Sequence, residues 1–358
     1  MPVTIIDVAR AAGVSKTTVS AVICGRSGVK EETRQLVLDT IRELKYVPNF
    51  TARNFVQGRT NILGALIVHA DKRSLDYQFA QETGVYSQDI SRGIIARLST
   101  TRYGLMTSYM TPGETVLPPM FTDNRIDGLF VIGALEMPLV VRRVLKERNL
   151  PVVAVGRTCS EYDSIRVDVP QSVYLAAKHL YVNGHRRIGL VNCAPNFTSN
   201  VERFEGYRRA LAEVGLEIDR SLVVDCRDNT GSSGYIAAGQ LLTSGANPTG
   251  LITANVSITM GVLRYLYEHR IRIPDDISII GHEDSVMYSY ASPALTAINI
   301  QKEKTGDRAA ELLLERLAGN DKSFPVSRFI EPVLTVRDSV KKLTTKASQL
   351  SGIRPMSC

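Results

Sequence analysis

Residues 7–25 read DVARAAGVSKTTVSAVICG, two short helical patterns on either side of a glycine. Thr4, just upstream, is placed to cap a first helix, with Asp7 three residues on to complete a capping box. Ile5, Val8 and Ala9 then fall on one face. Gly13 supplies the left-handed turn that residues with a side chain avoid. Ser15 caps a second helix whose buried stripe continues through Val19 and Val22. A third helix begins near Glu31 and Glu32 and runs to about Lys45, with Val37, Ile41 and Leu44 on one side. Acids at its start and Lys45 at its end suit the helix dipole. Helix, tight glycine turn, helix and supporting helix is the helix-turn-helix arrangement. In it the second helix enters a major groove and exposes the residues near its start, here Ser15, Lys16, Thr17 and Ser20. These are short or cationic groups able to meet base edges and phosphates.

Charge points the same way. The chain has 358 residues and a formal net charge of +7. Residues 1–60 hold nine Lys/Arg against five acids, an excess of four in about a sixth of the chain. A basic front attached to a nearly balanced body is the footprint of a polyanion binder. No apolar run reaches membrane length, and the N-terminus lacks the basic-then-apolar pattern of a secretory signal. The five cysteines (Cys24, Cys159, Cys193, Cys226 and Cys358) form no CxxC pair, so neither a disulfide framework nor a zinc site is expected. The expectation is a cytoplasmic, nucleoid-associated protein with no membrane partner, metal or cofactor.

From residue 61 the pattern changes to short apolar runs between amphipathic helices. Strand candidates are ILGALIV (62–68), GLMTSY, DGLFVIG, PVVAVG, RIGLVN, LVVDC, GLITAN and ISIIGHE. Helices are predicted near 86–102, 137–149, 171–183, 202–214, 232–244 and 257–270. Alternation of this kind implies parallel sheets covered on both faces, and eight strands fit two sheets better than one. No GxGxxG follows a strand. Gly245 to Gly250 has phosphate-loop spacing but continues Leu251-Ile252, and neither HExxH nor GxSxG occurs. An enzyme is not expected. Ligands of open parallel sheets sit at the strands' carboxyl ends. Those ends carry His69, Asp71, Gly133, Arg157, Asn192, Asn255 and Glu283, and the loop SNVERFEGY adds Ser199, Arg203 and Phe204.

TIIDVARAAGVSKTTVS followed by EETRQLVLDTIRELKYVPN resembles the N-terminus of the lactose-repressor (LacI/GalR) family of bacterial transcription regulators. The likeness continues through ARNFVQGRTNILGALI, RIDGLFVIG, PVVAVGR, HLYVNGHRRIGLV, ERFEGYRRALAEVGL, RIPDDISIIGHED and AAELLLERLAG, with a gap around residues 70–90. The resemblance implies an α/β fold: an N-terminal all-α helix-turn-helix DNA-binding domain (1–46), a hinge helix or linker (47–60), and a two-subdomain, periplasmic-binding-protein-like core of parallel sheets (61–338). The N-subdomain is expected at about 61–158 and 291–321, the C-subdomain at about 159–290 and 322–338, and a flexible tail at 339–358. Within the tail, Val340, Leu343, Ala347 and Leu350 have heptad-like spacing over less than two heptads, too little to specify a coiled coil. A homodimer, not a tetramer, is therefore expected.

The resemblance also assigns residues. The DNA-facing set is Thr4, Ser15, Lys16, Thr17, Ser20, Ala21 and Arg26 from the head, with Asn49, Ala52, Arg53 and Phe55 from the linker. Phe55 stands where the family has a leucine that wedges into a minor-groove step, and a flat ring is an accepted wedge. Ala21 replaces a larger polar residue and offers a methyl contact. In the core, Arg203 matches the arginine that grips the effector, Asn255 the asparagine of an Ala-Asn-Asp motif, and Arg157 an arginine after the PVVAVG strand. Glu283 takes the place of the first aspartate of Gly-(Phe/Tyr)-Asp-Asp. Three departures stand out: Val256 replaces an acid, His282 an aromatic ring, and Glu283 is longer than aspartate. The expected function is a ligand-responsive repressor that binds a near-palindromic double-stranded operator, with a sugar or related small-molecule effector between the subdomains. The rival readings are a solute-binding protein with the same core, and an architectural DNA protein without ligand control.

Overall fold

The computed structural model describes residues 3–23, 27–46, 59–68, 85–122, 125–133, 136–319 and 325–343. The chain divides into two compact units, Met1–Thr60 and Asn61–Cys358. In the first, α1 (Ile5–Ala11), α2 (Lys16–Ile23) and α3 (Glu31–Glu43) pack around Val8, Ala9, Ala12, Val19, Val22 and Val37. The capping box of α1 is formed: the Asp7 N–H donates to Thr4 Oγ1 at 3.4 Å and the Thr4 N–H to Asp7 Oδ2 at 2.9 Å. Gly13 turns the chain at φ +64°. Ser15 Oγ then accepts from the Thr18 N–H at 3.0 Å, satisfying one of the orphan donors at the start of α2. Each fully buried valine contributes roughly 1.5–3 kcal/mol. That burial holds together three helices too short to persist alone.

The second unit contains two sheets. The first is built from β1 (Ile62–Val68), β2 (Gly104–Met110), β3 (Gly128–Ile132), β4 (Val152–Val155), β5 (Asp163–Val167) and β11 (Ser327–Ile330), in the order β11-β5-β4-β3-β1-β2, all parallel. The second is built from β6 (Ile188–Asn192), β7 (Val223–Asp225), β8 (Gly250–Thr253), β9 (Ser278–His282), β10 (Thr296–Asn299) and β12 (Val333–Thr335), in the order β12-β10-β9-β8-β6-β7, with only β12 antiparallel. The central strands are almost continuously apolar because both faces are covered. On the first sheet α4 (Val85–Leu98) and α11 (Lys302–Leu317) cover one face and α5 (Leu139–Arg148) the other. On the second, α6 (Val169–Val182) and α7 (Thr198–Glu213) lie opposite α8 (Gly231–Thr243) and α9 (Val256–Glu268). A single-turn α10 (Val286–Ser289) follows β9. Gly206 lets α7 cross α6 closely: a Cβ there would overlap the Pro170 carbonyl.

Three expectations need correction. The described residues hold twelve strands, and β5, β10, β11 and β12 were not among those predicted. β5 (DSIRV), β10 (TAIN) and β11 (SRFI) mix polar with apolar residues, and β12 (VLT) spans three residues. In β5, Asp163 is fully buried and is held by the Arg316 guanidinium (Nε at 2.7 Å) and the Val326 N–H at 2.7 Å. Strand pairing also moves the chain crossings. Because β5 joins the first sheet and β10 the second, the crossings fall after Val167 and after Asn299, not near 158 and 290. The third falls between Ile330 and Val333, not near 322. Finally, residues 339–343 are docked, not a free tail. Ser339 is buried, donating to the Ile279 carbonyl at 2.6 Å and accepting from the Thr296 N–H at 2.8 Å, and the Leu343 N–H donates to the Asn183 carbonyl. Residues 344–358 lie outside the described residues.

Candidate functional site

In the head, α2 buries Val19 and Val22 and turns the other side outward. Lys16 and Thr17, with Ser20 and Ala21 four residues after each, share that outer face. Ser15, Lys16 and Thr17 are exposed, while Ser20 and Ala21 are partly exposed. Lys16 forms no ion pair among the described residues. Ser15 Oγ lies 2.6 Å from Thr17 Oγ1, and Thr4 gives its hydroxyl proton to Asp7 at 2.7 Å; both hydroxyls also serve as caps. Arg26, Asn49, Ala52, Arg53 and Phe55 lie outside the described residues, as do His69 and Asp71 of the core.

In the core, the two sheets share one strand order, which reverses between β1 and β3 and between β6 and β8. Those are the crevices where ligands of such sheets bind. Gly133 ends β3 at φ +132°, and a Cβ there would meet the Val68 carbonyl oxygen at 2.9 Å. Asn255 caps α9, accepting from the Ile258 N–H at 2.8 Å, so its carboxamide is oriented at the tip of β8. Arg157 donates to Glu136 at 2.8 Å, within the first subdomain.

Arg203 is buried on α7. Its Nη1 donates to Cys193 Sγ at 3.2 Å and to the Ser199 carbonyl at 3.4 Å, while its Nε has no partner among the described residues. Glu283 follows β9 with φ +62°, a backbone region uncommon for a residue with a side chain. Its neighbour Asp284 is clamped by both Arg337 Nη atoms (2.9 and 3.1 Å), which pins the turn. Burial holds the Glu283 carboxyl above the usual carboxylate range; Lys302 and Arg203 pull it down, and Asp89 adds to the rise.

Two sequence-derived candidates have other tasks. Asn192 commits its carboxamide to local structure: Oδ1 accepts from the Cys193 N–H at 2.9 Å and Nδ2 donates to the Asn200 carbonyl at 3.0 Å. It fixes the tip of β6 against α7. Phe204 packs on the core that contains Tyr207 and carries the Arg220 guanidinium 4.2 Å above its ring. It is one residue after Arg203, about 100° round the helix, and that rotation lays it, half-buried, against the core. Ser199 lies with Arg203, its Oγ 3.7 Å from Cys193 Sγ.

The structure adds residues that the sequence reading passed over. Tyr86 on α4 packs against the cores of both subdomains, and its hydroxyl sits 2.6 Å from where a Cβ on Gly156 would be. Burial and then Glu283 push its phenol up. Lys302, buried at the start of α11, lies 2.6 Å from Asp89 Oδ2. Arg166, on β5, donates to Glu202 of α7 at 2.7 Å, an ion pair from one subdomain to the other. Arg166 and Lys302 stand on or beside unpredicted strands, and Tyr86 falls in the stretch where no family likeness was visible.

The periplasmic-binding-protein-like domain model matches residues 177–340, and the model for bacterial regulatory proteins of the lacI family matches residues 4–49. Over 346 residues the chain is 32% identical to the HTH-type transcriptional repressor PurR of Photobacterium profundum, covering 95% of this chain and 99% of the relative. The chain belongs to the LacI family of bacterial regulators. The PurR repressor of Vibrio atlanticus is 30% identical with the same coverage. Among solved structures, a CelR–cellobiose complex is 29% identical with a TM-score of 0.67, covering 94% of this chain and 99% of its own. The lac repressor dimer bound to operator and the anti-inducer ONPF shares the fold at 23% identity and a TM-score of 0.80, covering 95% and 100%. As a family member the protein is a DNA-binding, ligand-responsive regulator.

Proposed function

We propose that the protein is a repressor that binds a near-palindromic operator as a homodimer and releases or tightens it when a small neutral metabolite occupies the cleft between its sheets. The observation that carries this reading is the pairing, in one chain, of an outward Lys16-Thr17-Ser20 face on a capped recognition helix with two parallel-rich sheets of one strand order, the second carrying buried Arg203 on a helix packed against it. Neither rival reading needs both. A solute-binding protein has no use for the head, and an architectural DNA protein has none for the cleft. Each head reads one half-site. The hinge residues Asn49, Ala52, Arg53 and Phe55 pack in the minor groove, with Phe55 as the wedge. The second subdomain exposes Ile236, Met260, Tyr267, Val286, Met287 and Tyr290, large apolar side chains that suit a self-complementary contact. A coupling of about 1–3 kcal/mol between cleft and head gives a 5- to 150-fold change in operator affinity.

The test is a paired substitution on a selected operator. Phe55→Ala should weaken specific binding far more than binding to random duplex. Arg203→Ala should keep operator binding and abolish its response to ligand. Unchanged specific affinity in the first variant removes the wedge, and an intact ligand response in the second removes the cleft assignment.

A further inference from the structure

His282 ends β9 next to Glu283 and is 1% exposed. Its Nε2 lies 2.8 Å from Ser172 Oγ. The same hydroxyl donates to the Val169 carbonyl at 2.6 Å. A serine hydroxyl has one proton, so towards His282 it is an acceptor and Nε2 carries the hydrogen. In a neutral imidazole Nδ1 then holds a lone pair, and Nδ1 is buried with no partner among the described residues. A proton there is opposed by burial first, then by Arg203 and Lys302, the same two cations that act on Glu283. His282 thus offers a fixed hydrogen-bond acceptor at the carboxyl end of β9, beside Glu283. Arg203 Nε is its counterpart, a buried donor without an acceptor among the described residues. Leaving either unpaired costs about 1–3 kcal/mol, and a ligand that reaches both must bring a donor to one and an acceptor to the other.

Building on the ligand-binding reading of the cleft, we infer that His282 is a specificity-determining residue: its Nδ1 accepts a hydrogen bond from a hydroxyl or N–H of a neutral ligand while Arg203 donates to a neighbouring oxygen or nitrogen of the same molecule. A carboxylate has no proton to give at this position and is selected against. The chemistry required is a donor adjacent to an acceptor, which a sugar diol and a lactam N–H/C=O both supply.

The first test needs neither ligand nor DNA. Long-range 1H–15N correlation on the full-length protein should show His282 neutral with Nε2–H from pH 5.5 to 8. An Nδ1–H tautomer, or a midpoint near the ordinary histidine value, overturns the inference and leaves the regulator reading standing. The second test titrates the wild type with D-ribose, cellobiose, uracil and succinate by thermal shift. At least one neutral probe should bind and shift the Nδ1 resonance. His282→Phe, which keeps a ring and loses the acceptor, should bind that probe at least tenfold more weakly, and His282→Gln, whose Oε1 accepts, should recover part of the loss. Binding of succinate alone, binding of none of the neutral probes, or equal affinity in His282→Phe overturns the inference. Loss of operator selection by the unliganded wild type would instead count against the regulator reading.

Discussion

Glu202→Gln probes the joint between the two subdomains. Arg166 is anchored in the first subdomain, with Nη1 on the Thr158 hydroxyl at 3.2 Å and its guanidinium 5.5 Å from the centre of the Phe329 ring. Its remaining reach is the 2.7 Å bond to Glu202 on α7, the helix that also carries Arg203. The Arg166 side chain is 10% exposed and that of Glu202 27%. An exposed pair contributes about 0–1 kcal/mol, and removing one partner of a fully buried pair costs about 3–5 kcal/mol. This pair lies between those limits, so Glu202→Gln, which keeps size and removes charge, should cost about 1–3 kcal/mol. The loss falls on contacts between the halves, so part of it appears as local opening before global unfolding. Urea denaturation measures the total, and hydrogen exchange locates it, with faster exchange expected at residues 158–168 and in the first turns of α7. Arg166→Lys should reproduce most of the effect, because one ammonium cannot serve Thr158 and Glu202 together. Wild-type exchange in both regions for both variants would refute the reasoning.

The other expectations concern packing and titration. Asp163→Asn removes the buried carboxylate that the Arg316 guanidinium and the Val326 N–H both bond and should destabilise by about 3–5 kcal/mol in a urea titration; a change under about 1 kcal/mol contradicts the clamp. Gly206→Ala forces a Cβ onto the Pro170 carbonyl and should cost at least about 1–3 kcal/mol by the same measurement, whereas an alanine at exposed Gly113, with open space around it, should not. His179, His185 and His282 all have pKa values lowered from 6.5, chiefly by burial. Below about pH 6.5 the unfolded chain therefore binds protons that the folded chain does not, and the histidine contribution to stability falls as pH drops from there through the depressed folded-state values. The slope of melting temperature between pH 7.5 and 5 should be shallower in His282→Gln than in the wild type, and an equal slope rules out His282 as a contributor.

The parts of the molecule legible in the sequence are those where one physical requirement fixes residue type. The Thr4–Asp7 box, the Gly13 turn and the Ser15 cap each need a particular side chain at a particular spacing, and each forms as read. The central strands β1, β3, β4, β6, β8 and β9 were equally plain because two-sided burial keeps them almost wholly apolar. What escaped depended on distant partners. The aspartate of β5 is tolerable only because Arg316 arrives from 153 residues away, so the local pattern reads as loop. The crossings were misplaced for the same reason, since each is defined by which sheet a strand of mixed polarity joins. Residue identity pointed to Arg203 and Glu283, but helix rotation laid Phe204 against the core, and hydrogen bonding turned Asn192 inward. Arg166 and Glu202 are ordinary surface-type residues until the fold places them across from each other.

The central claim is that a DNA-reading head is governed by a ligand cleft in the same chain. The most direct measurement is selection of the full-length protein against a random duplex library at about 150 mM salt, followed by affinity for the selected duplex with and without a ligand identified by thermal shift. The account predicts an inverted repeat bound on the order of 10³-fold or more above random sequence, with that preference changed at least fivefold by the ligand in the wild type and unchanged by it in Arg203→Ala. An absence of preference for any inverted repeat, or a ligand effect that survives in Arg203→Ala, would contradict it.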